Sequence, residues 1–368
     1  MPTAQETTLE IDLKALKHNY NYLKSKLQKN THFMAVVKAY SYGHDAKIIA
    51  NYLQDLKVDY FAVAYTSEGI ALRDAGITKP IMVLHPQPTS FKELMARCLE
   101  PSLYNSKVLH EFIAIAESEG QNTYPIHLKF NTGLNRLGFS EYDVKGIASI
   151  LSHTNAVGVK SIFSHMAASE DLNEKEFTLN QIKTFKAIAK DFTETLGFKP
   201  MLHMCNTSGI LNYPEAHFDM VRSGIGLYGF GNSEEENHNF QPIGTLKSVI
   251  SQIHHIKKGE TVGYNRAFKA DKFQKTATIP IGHADGIGRQ YGNGKGFVTI
   301  HGKQAPIVGN VCMDMIMVNI TDIDCKEGDE VIIFGQQPTA SEFAQTANTI
   351  SYEILTAISQ RVKRVIIE

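Results

Sequence analysis

The composition has little bias of charge. Basic and acidic side chains number 37 and 38, for a formal net charge of −1, so no bulk field draws the chain to nucleic acid or to an anionic membrane surface. Cysteine is scarce: Cys98, Cys205, Cys312 and Cys325 stand far apart and form no CxxC pair. That spacing speaks against a zinc knuckle or a disulfide framework and for reduced thiols in the cytoplasm. No run of about 18 apolar residues occurs of the kind that crosses a bilayer. The opening MPTAQETTLEIDLKAL lacks the basic start, apolar run and small-residue cleavage site of a secretory leader. Internal repeats and low-complexity tracts are also missing, so neither secretion nor membrane insertion is expected.

What is present is an ordinary globular balance, 43% hydrophobic and 20% charged over 368 residues. The length exceeds the roughly 250–300 residues at which one core stops growing, so one large domain and a smaller one are expected. Eight short β-branched and aromatic runs recur up to residue 224: FMAVVK (33–38), YFAVA (60–64), PIMVLH (80–85), LEPSLY (99–104), IHLKF (126–130), VKSIFSH (159–165), MLHMCN (201–206) and DMVRSG (219–224). The intervening segments, such as 45–56, 107–118 and 173–196, carry apolar residues at three- and four-residue spacing and read as helices. Strand and helix alternating eight times predict a (β/α)8 barrel.

Beyond NSEEENHNF (232–240), which reads as an acidic linker, strands follow without long helices: 246–256, 275–282, 297–302, 314–320 and 329–335, broken by Gly-rich turns. The expected domains are 14–236 for the barrel and 237–368 for a mainly β domain. The opening run TLEIDL, within residues 1–13, is expected to pair with the β domain.

In such a barrel the chemistry lies at the C-terminal ends of the strands. Lys38 and Tyr42 follow the first strand, Arg136 lies beyond the fifth, His165 ends the sixth, Asn206 and Thr207 follow the seventh, and Arg222 with Gly224 belong to the eighth. Lys38 ends the apolar run AVVK; burial there would lower its pKa from about 10.4 and free it as a nucleophile, although a lysine snorkelling to the barrel mouth fits the same pattern. GIGLYG (224–229) formally matches the dinucleotide fingerprint, but an acidic stretch follows instead of an amphipathic helix and position 249 is a valine. A phosphate cradle built from the N–H groups of Gly224 and Ile225 fits better, with plain turn glycines as the bland alternative. Arg222 within its strand requires an acceptor, either a structural carboxylate or a pyridine-type ring nitrogen. His165 taken alone reads as a satisfied core histidine. No metal is expected, because His44, His165 and His203 sit on different strand ends without ligand-pair spacing.

Several ordered segments together resemble the alanine racemase family: AVVKAYSYGHD, LKFNTGLNRLGF, SHMA and MVRSGIGLYG in the first part, then VGYNR, IGHADG and APIVGNVCMDM in the second. The resemblance implies a homodimer that racemises alanine with pyridoxal 5′-phosphate (PLP) and shares each active site between subunits. It makes Lys38 the Schiff-base lysine and one catalytic base, and Tyr264 the opposing base, delivered to the partner's barrel. Nearby Arg136 would help to lower the Tyr264 pKa. Tyr42, Thr207, Gly224 and Ile225, with Asn206 beside them, match phosphate contacts. Arg222 matches the partner of the pyridine nitrogen, His165 a residue beside the ring, and His203 a support for Arg222. Arg136 and Met313 match substrate-side groups, and Cys312, Asp314 and His283 the entrance segments. Lys129 matches a lysine that is carbamylated in many members. Four positions depart from the commonest pattern: His283 and Gln360 where tyrosine is usual, Asn131 where aspartate is usual, and Asn135 where glycine is usual. Competing readings are a racemase of serine, lysine or a broad range of amino acids, a basic amino-acid decarboxylase on the same barrel, and a non-catalytic PLP carrier.

Overall fold

The computed structural model describes residues 5–367. The chain divides into two compact units: Lys17–Ser41 with Ala46–Phe240, and the segments through Leu16, Tyr42–Asp45 and Gln241 onward. Among the described residues no helix is long and apolar enough to cross a membrane.

The first unit is a closed barrel of eight parallel strands, as expected. After β1 (Thr8–Asp12), which belongs to the second unit, the barrel strands are β2 (His32–Val36), β3 (Tyr60–Val63), β4 (Ile81–Val83), β5 (Glu100–Leu103), β6 (Tyr124–Lys129), β7 (Val157–Phe163), β8 (Met201–His203) and β9 (Met220–Ser223). β9 closes on β2 in parallel register, Phe33 against Val221 and Met34 against Arg222. Strands covered on both faces need apolar side chains in unbroken runs, and Phe33–Val37, Phe61–Val63 and Ile81–Val83 are buried throughout. The longest helix, Lys175–Leu196, buries Ile182, Phe185, Ile188, Ala189 and Phe192, one stripe at three- and four-residue spacing, and stops at Gly197 in the left-handed region. Replacing Phe192 by Ala would cost roughly 3–5 kcal/mol. The acidic run 232–240 is held within this unit. The buried Glu236 carboxylate accepts from Ser208 Oγ and Asn212 Nδ2 at 3.0 Å and from the Asn232 N–H at 2.8 Å.

The second unit is mainly β. Its strands are β1, β10 (Gly244–Val249), β11 (Gln252–Ile256), β12 (Thr261–Val262), β13 (Phe268–Lys269), β14 (Gln274–Ile279), β15 (Phe297–Ile300), β16 (Lys303–Val308), β17 (Ile316–Asn319), β18 (Glu330–Phe334) and β19 (Lys363–Ile367). Nine of them form one sheet in the order β11-β14-β17-β16-β15-β18-β10-β1-β19, while β12 and β13 make a separate hairpin. β1 pairs antiparallel with β10 and parallel with β19. The run 246–256, which reads as a single strand, is split at Ile250 and Ser251: Ile250 turns inward and β11 leaves to pair with β14.

Candidate functional site

β2 delivers Lys38 to the barrel's C-terminal end, and the backbone then does something unusual. Ala39, Tyr40, Ser41 and Tyr42 all have φ between 52° and 56°, a left-handed turn made without glycine until Gly43. Each such residue costs about 1–2 kcal/mol, so the surroundings must hold the turn. Glu68 does so from the helix Thr66–Asp74: Oε1 accepts the Ala39 N–H at 2.6 Å, and Oε2 accepts from Ala64 and Tyr65 at 2.7 and 3.1 Å. Ser41 N–H adds a bond to the Val37 carbonyl at 3.1 Å. The effect is to fix where Lys38 leaves the strand. Its amine is half-buried; desolvation lowers its pKa, the Arg136 cation adds to the lowering, and Glu68 opposes it. Glu68 was not singled out from sequence, where it lies 30 positions from the lysine it braces and carries no local signature.

Lys129 ends β6 and is buried, and its pKa is lowered to about 8 by burial first, then by Arg136, Arg222 and Lys38. Four cations therefore gather at one end of the barrel, which selects for anionic ligands. Arg136 sits on the loop after β6, and two of the departures from the family pattern meet there. Asn131 Nδ2 donates to Asn135 Oδ1 at 2.8 Å, while Asn131 Oδ1 accepts from the N–H groups of Gly133 and Asn135 at 3.2 and 2.9 Å. Asn135 has φ 55°, a conformation that explains both the usual glycine and the tolerance of asparagine.

Arg222 on β9 is buried, and every polar neighbour it finds is neutral. NH1 donates to His203 Nδ1 at 2.5 Å; NH2 reaches the Ser164 carbonyl at 2.7 Å, the Met204 carbonyl at 3.1 Å and His165 Nδ1 at 3.2 Å. Burial lowers its pKa to about 10, still far enough above neutrality for the guanidinium to keep its proton. Desolvation, with Arg222 the first of the nearby charges, pushes both His165 and His203 well below the ordinary imidazole range. The Phe163 ring stacks on His203 at 4.8 Å and 1°, and carries Arg222 at 5.2 Å and Lys129 at 5.9 Å from its centroid.

Gly224 leads into the turn Ile225–Tyr228, and Thr207 Oγ1 joins it by bonds to Ser223 Oγ at 3.0 Å and from the Gly226 N–H at 3.3 Å. A Cβ on Gly226 would lie 2.6 Å from Thr207 Cγ2, so that glycine is needed for the approach. The Asn206 amide oxygen caps the helix Thr207–Asn212 through Gly209 N–H at 2.9 Å and accepts from Ser169 Oγ at 2.8 Å. Its side chain is thus a scaffold for Thr207.

The remaining sequence candidates lie in the β unit and are described within it. Tyr42 is buried against Tyr352, with ring centroids 5.9 Å apart, and burial pushes its phenol pKa up. Tyr264 opens the turn between β12 and β13, is 75% exposed, and accepts a bond to its carbonyl from Asn310 Nδ2 at 3.3 Å. The segments around His283 and Cys312 are laced together: His283 N–H to the Cys312 carbonyl, and Ala284 N–H to the Met313 carbonyl, both at 3.0 Å. A Cβ on Gly282 would sit 2.4 Å from each of those carbonyls, so only glycine allows the lacing. Arg361 clamps both segments, donating to Asp285 and Asp314 at 2.7 Å, while Met313 stands 59% exposed and Gln360 is also exposed.

Comparison with known proteins bears on both units. Residues 11–231 match the family described as alanine racemase, N-terminal domain, and residues 243–366 that described as alanine racemase, C-terminal domain. The alanine racemase of Thermodesulfovibrio yellowstonii is 38% identical over 364 residues, 96% of each chain. That of Methanococcus maripaludis is 34% identical over 97% of each. Among solved structures, an alanine racemase from Clostridium difficile superposes with a TM-score of 0.92 at 34% identity, covering 100% of this chain and 97% of that one. One from Bacillus anthracis, with bound L-Ala-P, superposes at 0.91 and 29% identity over 100% and 96%.

Proposed function

The chain belongs to the alanine racemase family of isomerases, and from that membership we propose that it interconverts L- and D-alanine with PLP held on Lys38. The observation that carries the reading is the company of Lys38: an amine with a lowered pKa among Lys129, Arg136 and Arg222, beside two neutral imidazoles and a glycine-built turn. That donor set suits a ligand with an aldehyde, an acceptor ring nitrogen and a phosphate. Lys38 would hold the aldehyde, Arg222 would face the ring nitrogen, and Thr207, Gly224 and Ile225 would receive the phosphate.

When bound, PLP draws electron density from the substrate's α-carbon and so acidifies its proton. Lys38 Nζ takes or returns that proton on one face, which its lowered pKa favours. The partner subunit's Tyr264 hydroxyl does the same on the opposite face, since inversion needs a base on each side. Arg222 keeps its own proton and would hand none to a ring nitrogen facing it, so the group held there would supply only a weak electron sink, which favours return of the proton to carbon. The exposed Tyr264, Met313 and Met315 are side chains of the β unit that a partner subunit could cover, which supports a homodimer with shared sites. Low cysteine usage fits a cytoplasmic enzyme that supplies D-alanine for peptidoglycan. The lowered Lys129 pKa leaves a useful fraction of free amine near neutrality for carbamylation by dissolved carbon dioxide.

Incubating the purified protein with L-alanine and PLP and resolving the enantiomers should show D-alanine rising toward equal amounts of both. Release of carbon dioxide and an amine without D-alanine would instead establish a decarboxylase, and faster turnover of serine or lysine would reassign the substrate.

A further inference from the structure

Arg222 is the end of a longer chain of contacts that runs around the barrel interior. Five residues on five successive strands are joined: Arg222 on β9 to His203 Nδ1 on β8 at 2.5 Å, His203 Nε2 to Ser161 Oγ on β7 at 2.9 Å, Ser161 Oγ to His127 Nδ1 on β6 at 2.6 Å, and His127 Nε2 to Glu100 Oε2 on β5 at 2.7 Å. All five are buried. Donor arithmetic orients every link. A guanidinium only donates, so His203 Nδ1 accepts and its proton sits on Nε2. Ser161 then accepts from His203 and has one proton to pass to His127 Nδ1. His127 in turn carries its proton on Nε2 and gives that bond to an acceptor that cannot donate, the Glu100 carboxylate. With every bond pointing the same way, no donor or acceptor in the chain is left over; reversing any link sets two donors or two acceptors face to face, at about 1–3 kcal/mol in a buried site. The stacked Phe163 and the edge of Tyr60, 6.2 Å from His127, keep the two rings from turning.

We propose that Glu100 is a positioning residue for the reaction: its carboxylate terminates a one-way hydrogen-bond chain through His127, Ser161 and His203 that fixes both histidine tautomers and holds Arg222 in place. The effect on catalysis rests on the proposed role of Arg222 at the ring nitrogen; the tautomers do not. Glu100 acts here by bond direction and not by its field, since four links separate it from the guanidinium. Without it, the His127 Nε2–H has no acceptor, and the competing arrangement, in which His127 carries its proton on Nδ1, Ser161 turns to His203 Nε2 and His203 presents an N–H to Arg222, gains population. Two donors then face each other and the guanidinium is displaced, which admits water and a proton to the ring nitrogen and strengthens the electron sink.

The test combines nitrogen-15 NMR of histidine-labelled holoenzyme with product analysis for Glu100→Leu, Glu100→Gln and Ser161→Ala. In the wild type both His127 and His203 should be neutral with the proton on Nε2. Glu100→Leu should populate a His203 tautomer with its proton on Nδ1 and lower kcat in both directions roughly 10- to 100-fold, taking as a guide the range seen when outer partners that orient metal-binding histidines are removed. It should also raise the pyruvate released by abortive amino transfer to the cofactor, with the KM for alanine little changed. Glu100→Gln, whose amide oxygen still accepts, should restore tautomer, rate and product ratio. Ser161→Ala cuts the chain without touching the carboxylate and should match Glu100→Leu, which covers the case that the leucine variant fails to fold. A wild-type His203 protonated on Nδ1, an imidazolium at His127, or a pyruvate-to-racemate ratio unaltered in both broken variants overturns the proposal. A protein that never racemises alanine but shows the two Nε2–H tautomers overturns the functional reading alone.

Discussion

Arg222 in the barrel is buried and spends its guanidinium on two imidazole nitrogens and two carbonyls, whereas Tyr264 in the β unit is 75% exposed and is held by its backbone carbonyl. The same contrast separates Lys129 from Met313. In the barrel unit the pKa values are already displaced by burial and by neighbours of the same unit; in the β unit Tyr42 is buried, but Tyr264 and Met313 face outward. Pre-organisation of the first kind can be assembled within a single chain, while an exposed phenol acquires an environment only when another surface covers it.

The most severe way to break this contrast is Lys38→Ala. Racemisation should fall by at least about 10⁴-fold in both directions, together with the visible absorbance of lysine-bound cofactor. Retained activity would remove the barrel's claim to the chemistry. Tyr264→Phe should leave that absorbance intact and cost about 10²–10³-fold, unequally. Exchange of the α-proton with deuterated water, followed separately from each enantiomer, should be slowed far more for one than the other; equal slowing would deny it a one-face role.

A third experiment sharpens the barrel side through stability. Lys129 has a folded pKa of about 8 against about 10.4 unfolded, so its charged form is disfavoured in the native state. The resulting penalty, about 3 kcal/mol, is fully present below pH 8 and is relieved as pH rises toward about 10.4. Lys129→Met should therefore raise the unfolding free energy by up to that amount at pH 7 in carbonate-free buffer, and by much less at pH 10. A gain independent of pH would point to packing instead of charge. The smallest expected effect lies in the Arg136 loop: Asn135→Ala should cost about 1 kcal/mol in urea unfolding because of its positive φ, and Asn135→Gly close to nothing.

The eight barrel strands were legible because double-sided burial writes them as unbroken apolar runs, and even LEPSLY, the least regular, is β5. Other elements were hidden for physical reasons. β16 contains Pro306, which reads as a breaker, yet it stands opposite Phe297 of β15 within the nine-stranded sheet. β19 is a short basic-led run whose partner lies more than 350 positions away, and no local pattern announces that pairing. At the site, residues carried by a recognisable segment could be picked out one by one. The groups that hold them could not: Glu68 and Glu100 look like any other carboxylate, and the left-handed turn after Lys38 is made of alanine, tyrosines and serine. Glu236, in a run of acids that resembles a solvated linker, is buried by three specific donors that only the fold supplies.

β1 lies between β10 and β19, so the first described strand waits for residues 244–249 on one side and 363–367 on the other. A ribosome making about 5–20 residues per second releases that partner only after the intervening barrel segments have emerged. The consequence is an order of assembly: barrel strands pair with sequence neighbours during translation, while the nine-stranded sheet closes last and by its most distant contacts. Deletion of β19 would then expose a hydrophobic β1 edge, giving a product prone to aggregate instead of one that is merely less active.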